Sequence, residues 1–153
     1  VASSVSALAA DRLLAPKPDD YVLVPQRSAT EPLALVSRPD TELEKTLFWG
    51  VQVMVAAEEF GLTSKNVEAK LGALKDMPVD AQRLIAPNGP TADMAKKLGL
   101  RPDWAFQIIK QVGNYGEVFE KHIGKASPLA MDRAQSPNRL ARDGGLIFSY
   151  PVR

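Results

Sequence analysis

The sequence predicts a helix-rich α/β domain with few strands, and three observations carry that expectation. Short β-branched and aromatic runs occur at Tyr21–Val24 and Leu33–Val36, each bounded by polar residues or proline. A long, strongly apolar helical pattern follows from Thr41 to about Phe60. Beyond it lies a series of shorter helical patterns punctuated by glycine and proline, ending in an irregular tail.

The elements follow in order. Ser4 or Ser6 is placed to cap a first helix carrying Leu8, Arg12 and Leu13, which Pro16 and Pro18 stop. Asp19-Asp20 then reads as turn chemistry leading into the run Tyr21-Val22-Leu23-Val24, closed by Pro25. The polar stretch Gln26–Glu31 separates it from the second strand. Thr41 and Glu44 have the spacing of a capping box, and Gly61 stands where a left-handed helix stop belongs. Between them Leu43, Leu47, Val51, Met54 and Val55 form a stripe that Phe48, Trp49 and Val53 widen beyond half the circumference. A stripe that wide expects burial on two sides.

Thr63 or Ser64 is placed to cap the next helix, with Val67, Leu71 and Leu74, and Pro78 opens a short one through Leu84 and Ile85. The segment PNGP, Pro87–Pro90, is a turn, and Thr91–Leu98 is amphipathic and ends at Gly99. Asp103 is placed to cap a longer helix with Trp104, Ile108, Ile109 and Val112 on one side. Gly113 and Gly116 interrupt it, which implies a kink or a close approach, before Val118, Phe119 and Ile123 resume the stripe as far as Gly124. From Lys125 to Arg153 the chain is irregular, with a further strand candidate at Leu146–Tyr150.

Composition excludes more than it identifies. Hydrophobic residues make up 45% and charged residues 24% of the 153, as in ordinary globular chains. The formal charge of +1 leaves no footprint for nucleic acid. Cysteine is absent, which removes thiol catalysis, disulfides and thiolate metal sites. A single histidine, His122, near a helix end among Glu117, Glu120 and Lys121, suits the carbonyl end of a helix better than base catalysis. Glu58 and Glu59 are adjacent, point to different sides of a helix, and read as a solvated rim. Gly113-Asn114-Tyr115-Gly116 lacks P-loop spacing and reads as a packing feature within a helix. No catalytic residue, metal site or cofactor is expected. Val1–Ala10 lacks the basic leader of a signal peptide, so an exported protein would have already lost its signal.

Several idiosyncratic segments, in order, carry a resemblance. They are SALAADR (6–12), KPDDYVLVP (17–25), EPLALVSR (31–38), AAEEFGLTSKNVE (56–68), DWAFQIIKQVGNYGEVFE (103–120) and GGLIFSYPVR (144–153). Together they resemble the C-terminal half of general L-amino-acid-binding periplasmic proteins, the family 3 solute-binding proteins of polar amino-acid ABC transporters. Such proteins fold as two α/β lobes that close on an amino acid. The resemblance implies a partial periplasmic-binding-protein-like lobe in three parts: residues 1–25 as a remnant of the second lobe with the hinge strand, residues 26–124 as a first-lobe-like strand and helical region, and residues 125–153 as the C-terminal tail.

It also places Ser4, preceded by Ser3, at the turn where the family presents an Asp to the substrate ammonium. Serine accepts a hydrogen bond but does not neutralise an ammonium. No residue matches the Arg that clamps the ligand carboxylate. Met131–Asp143 (MDRAQSPNRLARD) departs from the family's short helical run. The implied protein is periplasmic and shortened, and it acts by association, as a homo-oligomer or with a protein partner. The other implied reading is an amino-acid-binding component working with ABC transporter membrane subunits, as part of a split or longer receptor. An enzyme, although the same fold hosts dehydratase-like enzymes, lacks an acid–base pair here.

Overall fold

In a computed structural model the chain is described at every residue except Pro25, Arg27, Asp40 and Arg153; the side chains of Thr41 and Gln135 also lie outside the description. The fold is helix-rich. Its α-helices are α1 (Val5–Leu14), α2 (Thr41–Glu59), α3 (Val67–Gly72), α4 (Val79–Ile85), α5 (Pro90–Leu98), α6 (Trp104–Gln111) and α7 (Tyr115–His122). Among the described residues no strand forms, and the one β-bridge pairs Leu140 with Ile147.

The C-terminal half of α2 is the spine of the core. Val53, Ala56 and Ala57 pack with Leu62, Val67, Leu84, Trp104, Ala105 and Ile109, drawn from α3, α4, α6 and the loop after α2. The spine ends as its sequence demands. Gly61 takes φ +66°, the Leu62 N–H bonds to the Ala57 carbonyl at 2.7 Å, and the Gly61 N–H bonds to that of Glu58 at 3.0 Å. That pairing satisfies two orphan carbonyls and turns Leu62 into the core, where it is 0% exposed. The capping box expected at α2 rests on the Thr41 side chain, outside the described residues. Only the far half of the helix is enclosed: Leu43 and Phe48 are exposed, so the two-sided burial read from the stripe applies to its C-terminal portion.

A second anchor links α4, α5 and α6. The Thr91 hydroxyl donates to the carbonyls of Arg83 and Leu84, and the Trp104 indole N–H donates to the Thr91 carbonyl at 2.8 Å. Thr91 is buried, and each of these polar groups has a partner, as burial requires.

Several expectations need correction. The helix expected to run from Asp103 past Gly116 is two helices. Asn114 caps α7 by accepting from the Glu117 N–H at 2.9 Å, while the Glu117 carboxylate accepts from the Asn114 N–H at 2.9 Å. Satisfying those donors at a new N-terminus is what makes the break stable. Asp103 precedes α6 but makes no cap bond; its carboxylate accepts from Arg101 and Gln107.

The strands expected at Tyr21–Val24 and Leu33–Val36 do not form, although the helix-rich class with few strands stands. Both runs are irregular and, apart from the half-buried Leu23, exposed, Val22 at 83% and Val36 at 93%. A β-ladder needs a paired backbone, and among the described residues neither run takes part in a ladder hydrogen bond or bridge. Pro25, expected to close the first run, is outside the described residues. Leu146–Tyr150 is not a strand either. Its N–H groups go to loop carbonyls and α2 side chains: Leu146 to Pro137, Ile147 to Arg139, Ser149 to Glu59 and Tyr150 to Gln52.

Candidate interaction surface

The residues singled out in the sequence fall in three places. Ser4 is the N-cap of α1, its hydroxyl oxygen accepting from the Ala7 N–H at 3.3 Å, and Ser3 is exposed beside it. Asp19 and Asp20 lie in a 3₁₀ turn whose Pro18 carbonyl accepts from the Arg12 guanidinium at 2.9 Å. His122 sits exposed in the last turn of α7.

Glu58 and Glu59 are not a solvated rim. They hold the C-terminal tail against α2. Glu58 makes a two-pronged ion pair with Arg133 at 2.5 and 3.0 Å, with the side chains only 18% and 13% exposed. Arg133 also donates to the Asn138 carbonyl and lies over the rings of Tyr115 and Phe119. Burial pushes the Tyr115 hydroxyl above its ordinary pKa, with Arg133 opposing and Glu58 reinforcing the shift. Gly116 makes room for the pair, since a Cβ there would fall 2.9 Å from the Arg133 guanidinium. Glu59 accepts from both the N–H and the hydroxyl of Ser149, and Arg142 donates to the Glu59 carbonyl.

Glu117 does the equivalent work on the other side of α2's end. Besides capping α7 it accepts from the Ser64 hydroxyl at 2.6 Å and the Ser64 N–H at 3.0 Å. Burial raises its pKa, but hydrogen bonds from the Ser64 hydroxyl and the Asn114 and Ser64 N–H groups, with the Lys65 charge, hold the carboxyl below its usual value.

An open cavity of about 260 Å³ lies beside the tail, lined by Glu58, Glu120, Arg133, Arg139 and Asp143 among others. Both terminal nitrogens of Arg133 face Glu58, so this guanidinium is committed within the fold. Among the described residues no group of three His, Cys, Asp or Glu side chains is placed to hold a metal, and no helix is long and apolar enough to cross a membrane.

What the molecule does present is uncovered apolar surface. Tyr21, Val22, Val24, Leu33, Leu35 and Val36 are all exposed along the stretch before α2. A second patch joins α2 at Phe48 to the tail. There Phe48 meets Trp49 edge-on at 5.4 Å and Tyr150 at 5.8 Å, and Tyr150 meets Phe148 at 5.9 Å. Concentrations of apolar surface of this kind mark association sites more often than they occur by chance.

The fold is that of part of a periplasmic binding protein. A solved ABC transporter / periplasmic binding protein from Brucella ovis, with glutathione bound, superposes with a TM-score of 0.82 at 38% identity, over 97% of this chain and 44% of its own. More particularly, the chain matches a fragment of amino-acid ABC transporter solute-binding proteins. It is 38% identical to YhdW of Escherichia coli over 154 aligned positions, covering 100% of this chain and 43% of that protein. With the general L-amino acid-binding periplasmic protein AapJ of Rhizobium johnstonii it shares 37% identity, over 93% of this chain and 40% of the relative. The resemblance read from residues 6–12 through 144–153 therefore holds along the chain. No family model matches. These relatives are solute-binding proteins, which points to a non-enzyme.

Proposed function

We propose that this chain is a shortened, periplasmic, amino-acid solute-binding-protein-like domain that acts by associating with another polypeptide, a second copy of itself before any other. The observation that carries the reading is the pair of uncovered apolar runs, Tyr21–Val24 and Leu33–Val36, beside a helical core that closes without them. A β-prone segment with free N–H and C=O groups is a template for a strand from another chain. Ser3 and Ser4 stand on this reading at the position of the family's ammonium contact, with no carboxylate there to neutralise the ligand's charge. Its loss removes a charge-assisted bond of about 1–3 kcal/mol.

The second reading, an amino-acid-binding component within a split or longer receptor that serves ABC transporter membrane subunits, is favoured by coverage. The chain spans 43% and 40% of the curated relatives it matches. Light scattering and calorimetry on the 153-residue chain decide between them. The association reading expects a species heavier than 16.6 kDa and no binding of L-glutamate, L-glutamine or L-leucine tighter than about 10 μM. A stable monomer with cooperative unfolding overturns it. Micromolar binding of one of these amino acids by the isolated chain replaces it with the second reading.

A further inference from the structure

We propose that Asn88 is a site of spontaneous covalent modification, converting through a cyclic imide to aspartate and isoaspartate. The reaction is fully specified by the chain and water. The backbone nitrogen of Gly89 bonds to the side-chain carbonyl carbon of Asn88, the carbon–nitrogen bond of the amide breaks, and ammonia leaves carrying the displaced proton. Water then opens the five-membered imide at either carbonyl. Attack at one restores the normal backbone as aspartate, and attack at the other routes the backbone through the side chain as isoaspartate.

Two features of the α4–α5 turn select this asparagine from the chain's four. The first is its neighbour. A Cβ on residue 89 would fall 2.9 Å from the Arg83 carbonyl oxygen and 3.3 Å from that of Ala86, so the turn admits only glycine there. With no side chain on residue 89, no Cβ crowds the attacking nitrogen, although Gly89 itself is buried in the turn. The second is freedom of the amide. Asn88 is exposed, and no hydrogen bond of its side chain is found among the described residues. Asn66, by contrast, accepts from the Thr63 N–H and donates to the Gly61 carbonyl. Asn114 accepts from the Glu117 N–H and donates to the Leu62 carbonyl. Asn138 accepts from the Tyr115 hydroxyl. These three precede Val67, Tyr115 and Arg139, whose side chains crowd the attacking nitrogen.

The turn itself supplies the brake. The Gly89 N–H donates to the Ala86 carbonyl at 3.0 Å, and that bond must open before the nitrogen can attack. The two products then differ in consequence. Aspartate at 88 puts a negative charge just before α5, where the helix dipole favours it. Isoaspartate adds a carbon to the backbone immediately before Gly89. The Gly89 carbonyl accepts the first bonds of α5, from Ala92 and Asp93, and α5 carries the Thr91 carbonyl on which the Trp104 indole is anchored.

The test incubates the full chain, native and in urea, in mildly alkaline buffer, and maps each asparagine by peptide mass spectrometry with isoaspartate-specific methyl labelling. Loss of the amide is expected at Asn88 first, slower in the native chain than in urea, with label at that peptide alone. The aged native protein is expected to show a lowered Tm, whereas an Asn88→Asp variant keeps the Tm of the starting chain and an Asn88→Gln variant ages without change. If Asn88 keeps its amide in the native chain while it converts in urea, the Ala86–Gly89 bond locks the turn and the proposal fails. Conversion at Asn66 or Asn138 at the same rate overturns the selection argument.

Discussion

The helical body and the stretch before it carry the same kind of side chain with opposite results. In the body, Val53, Leu62, Val67 and Ile109 are each 0% exposed. Between Tyr21 and Val36, valines and leucines of equal hydrophobicity stand in solvent. The difference lies in where the backbone hydrogen bonds close. A helix satisfies its own N–H and C=O groups within one turn, so an amphipathic segment buries its stripe as soon as another helix is near. A strand closes its bonds only on another strand. Burial therefore followed pairing, and hydrophobicity alone did not secure it.

The largest test of that contrast compares truncations at the two kinds of site. Ile109→Ala is expected to lose about 2–5 kcal/mol of stability in urea denaturation, through lost transfer energy and an uncollapsed cavity. Val22→Ala should change it by less than about 0.5 kcal/mol in the monomeric form. Equal losses would mean that the early segment is packed in solution. Next in size is the Glu58–Arg133 pair, which binds the tail to the body. Removing one partner, as in Glu58→Ala, leaves an uncompensated guanidinium and is expected to cost about 3 kcal/mol. The double variant Glu58→Leu with Arg133→Met should recover much of that, because no charge is then stranded. A double variant as unstable as the single one would show that Arg133 acts mainly through its ring contacts and its bond to Asn138.

How much of this was legible depended on the range of the interaction. Helix ends were readable because their signals are local: Gly61, Gly99 and the positions of α2, α4 and α5 follow from glycine, proline and periodicity. The break before α7 also carries a local signal in the capping-box spacing of Asn114 and Glu117. Glu58 and Glu59 are not legible as tail anchors, because adjacency says nothing about partners at Arg133 and Ser149, far along the chain. The strands are the same case in reverse. Val, Leu and Tyr report a local preference for extended backbone, whereas a ladder is a property of two segments. Of the candidate site, the relationship to amino-acid-binding proteins was legible in the segments themselves, and the committed state of Arg133 was not.

A smaller effect, read as a dependence on pH, distinguishes the junction at Ser64. Glu117 has a folded pKa held below its ordinary value of 4.5. A carboxyl lowered on folding contributes stability that is fully present above the unfolded pKa and is lost as pH falls through the folded one. The wild-type chain should therefore lose stability between its behaviour at neutral pH and that at about pH 3 more steeply than Glu117→Gln, which has no such proton to take up. The same variant will be less stable than wild type at neutral pH, since a neutral amide makes weaker bonds to Ser64 and Asn114. Parallel pH profiles for the two proteins would place the acid-sensitive group elsewhere.

The smallest expected effect on stability is the most telling for association. The double variant Val22→Ser with Leu35→Ser alters two exposed side chains that make no contribution to the core, so its unfolding midpoint at low protein concentration should match wild type within about 0.5 kcal/mol. Its mass in solution should not match. If the early runs pair with strands of a second copy, the apolar contacts between their side chains hold the assembly, and replacing two of them weakens it at each symmetry-related position. Light scattering across a dilution series should then show the variant dissociating at higher concentration than wild type. An unchanged dissociation midpoint, with stability also unchanged, would move the contact from these runs to the Phe48, Phe148 and Tyr150 patch. Phe48→Ser would then carry the loss, and the two uncovered surfaces of the molecule would exchange roles.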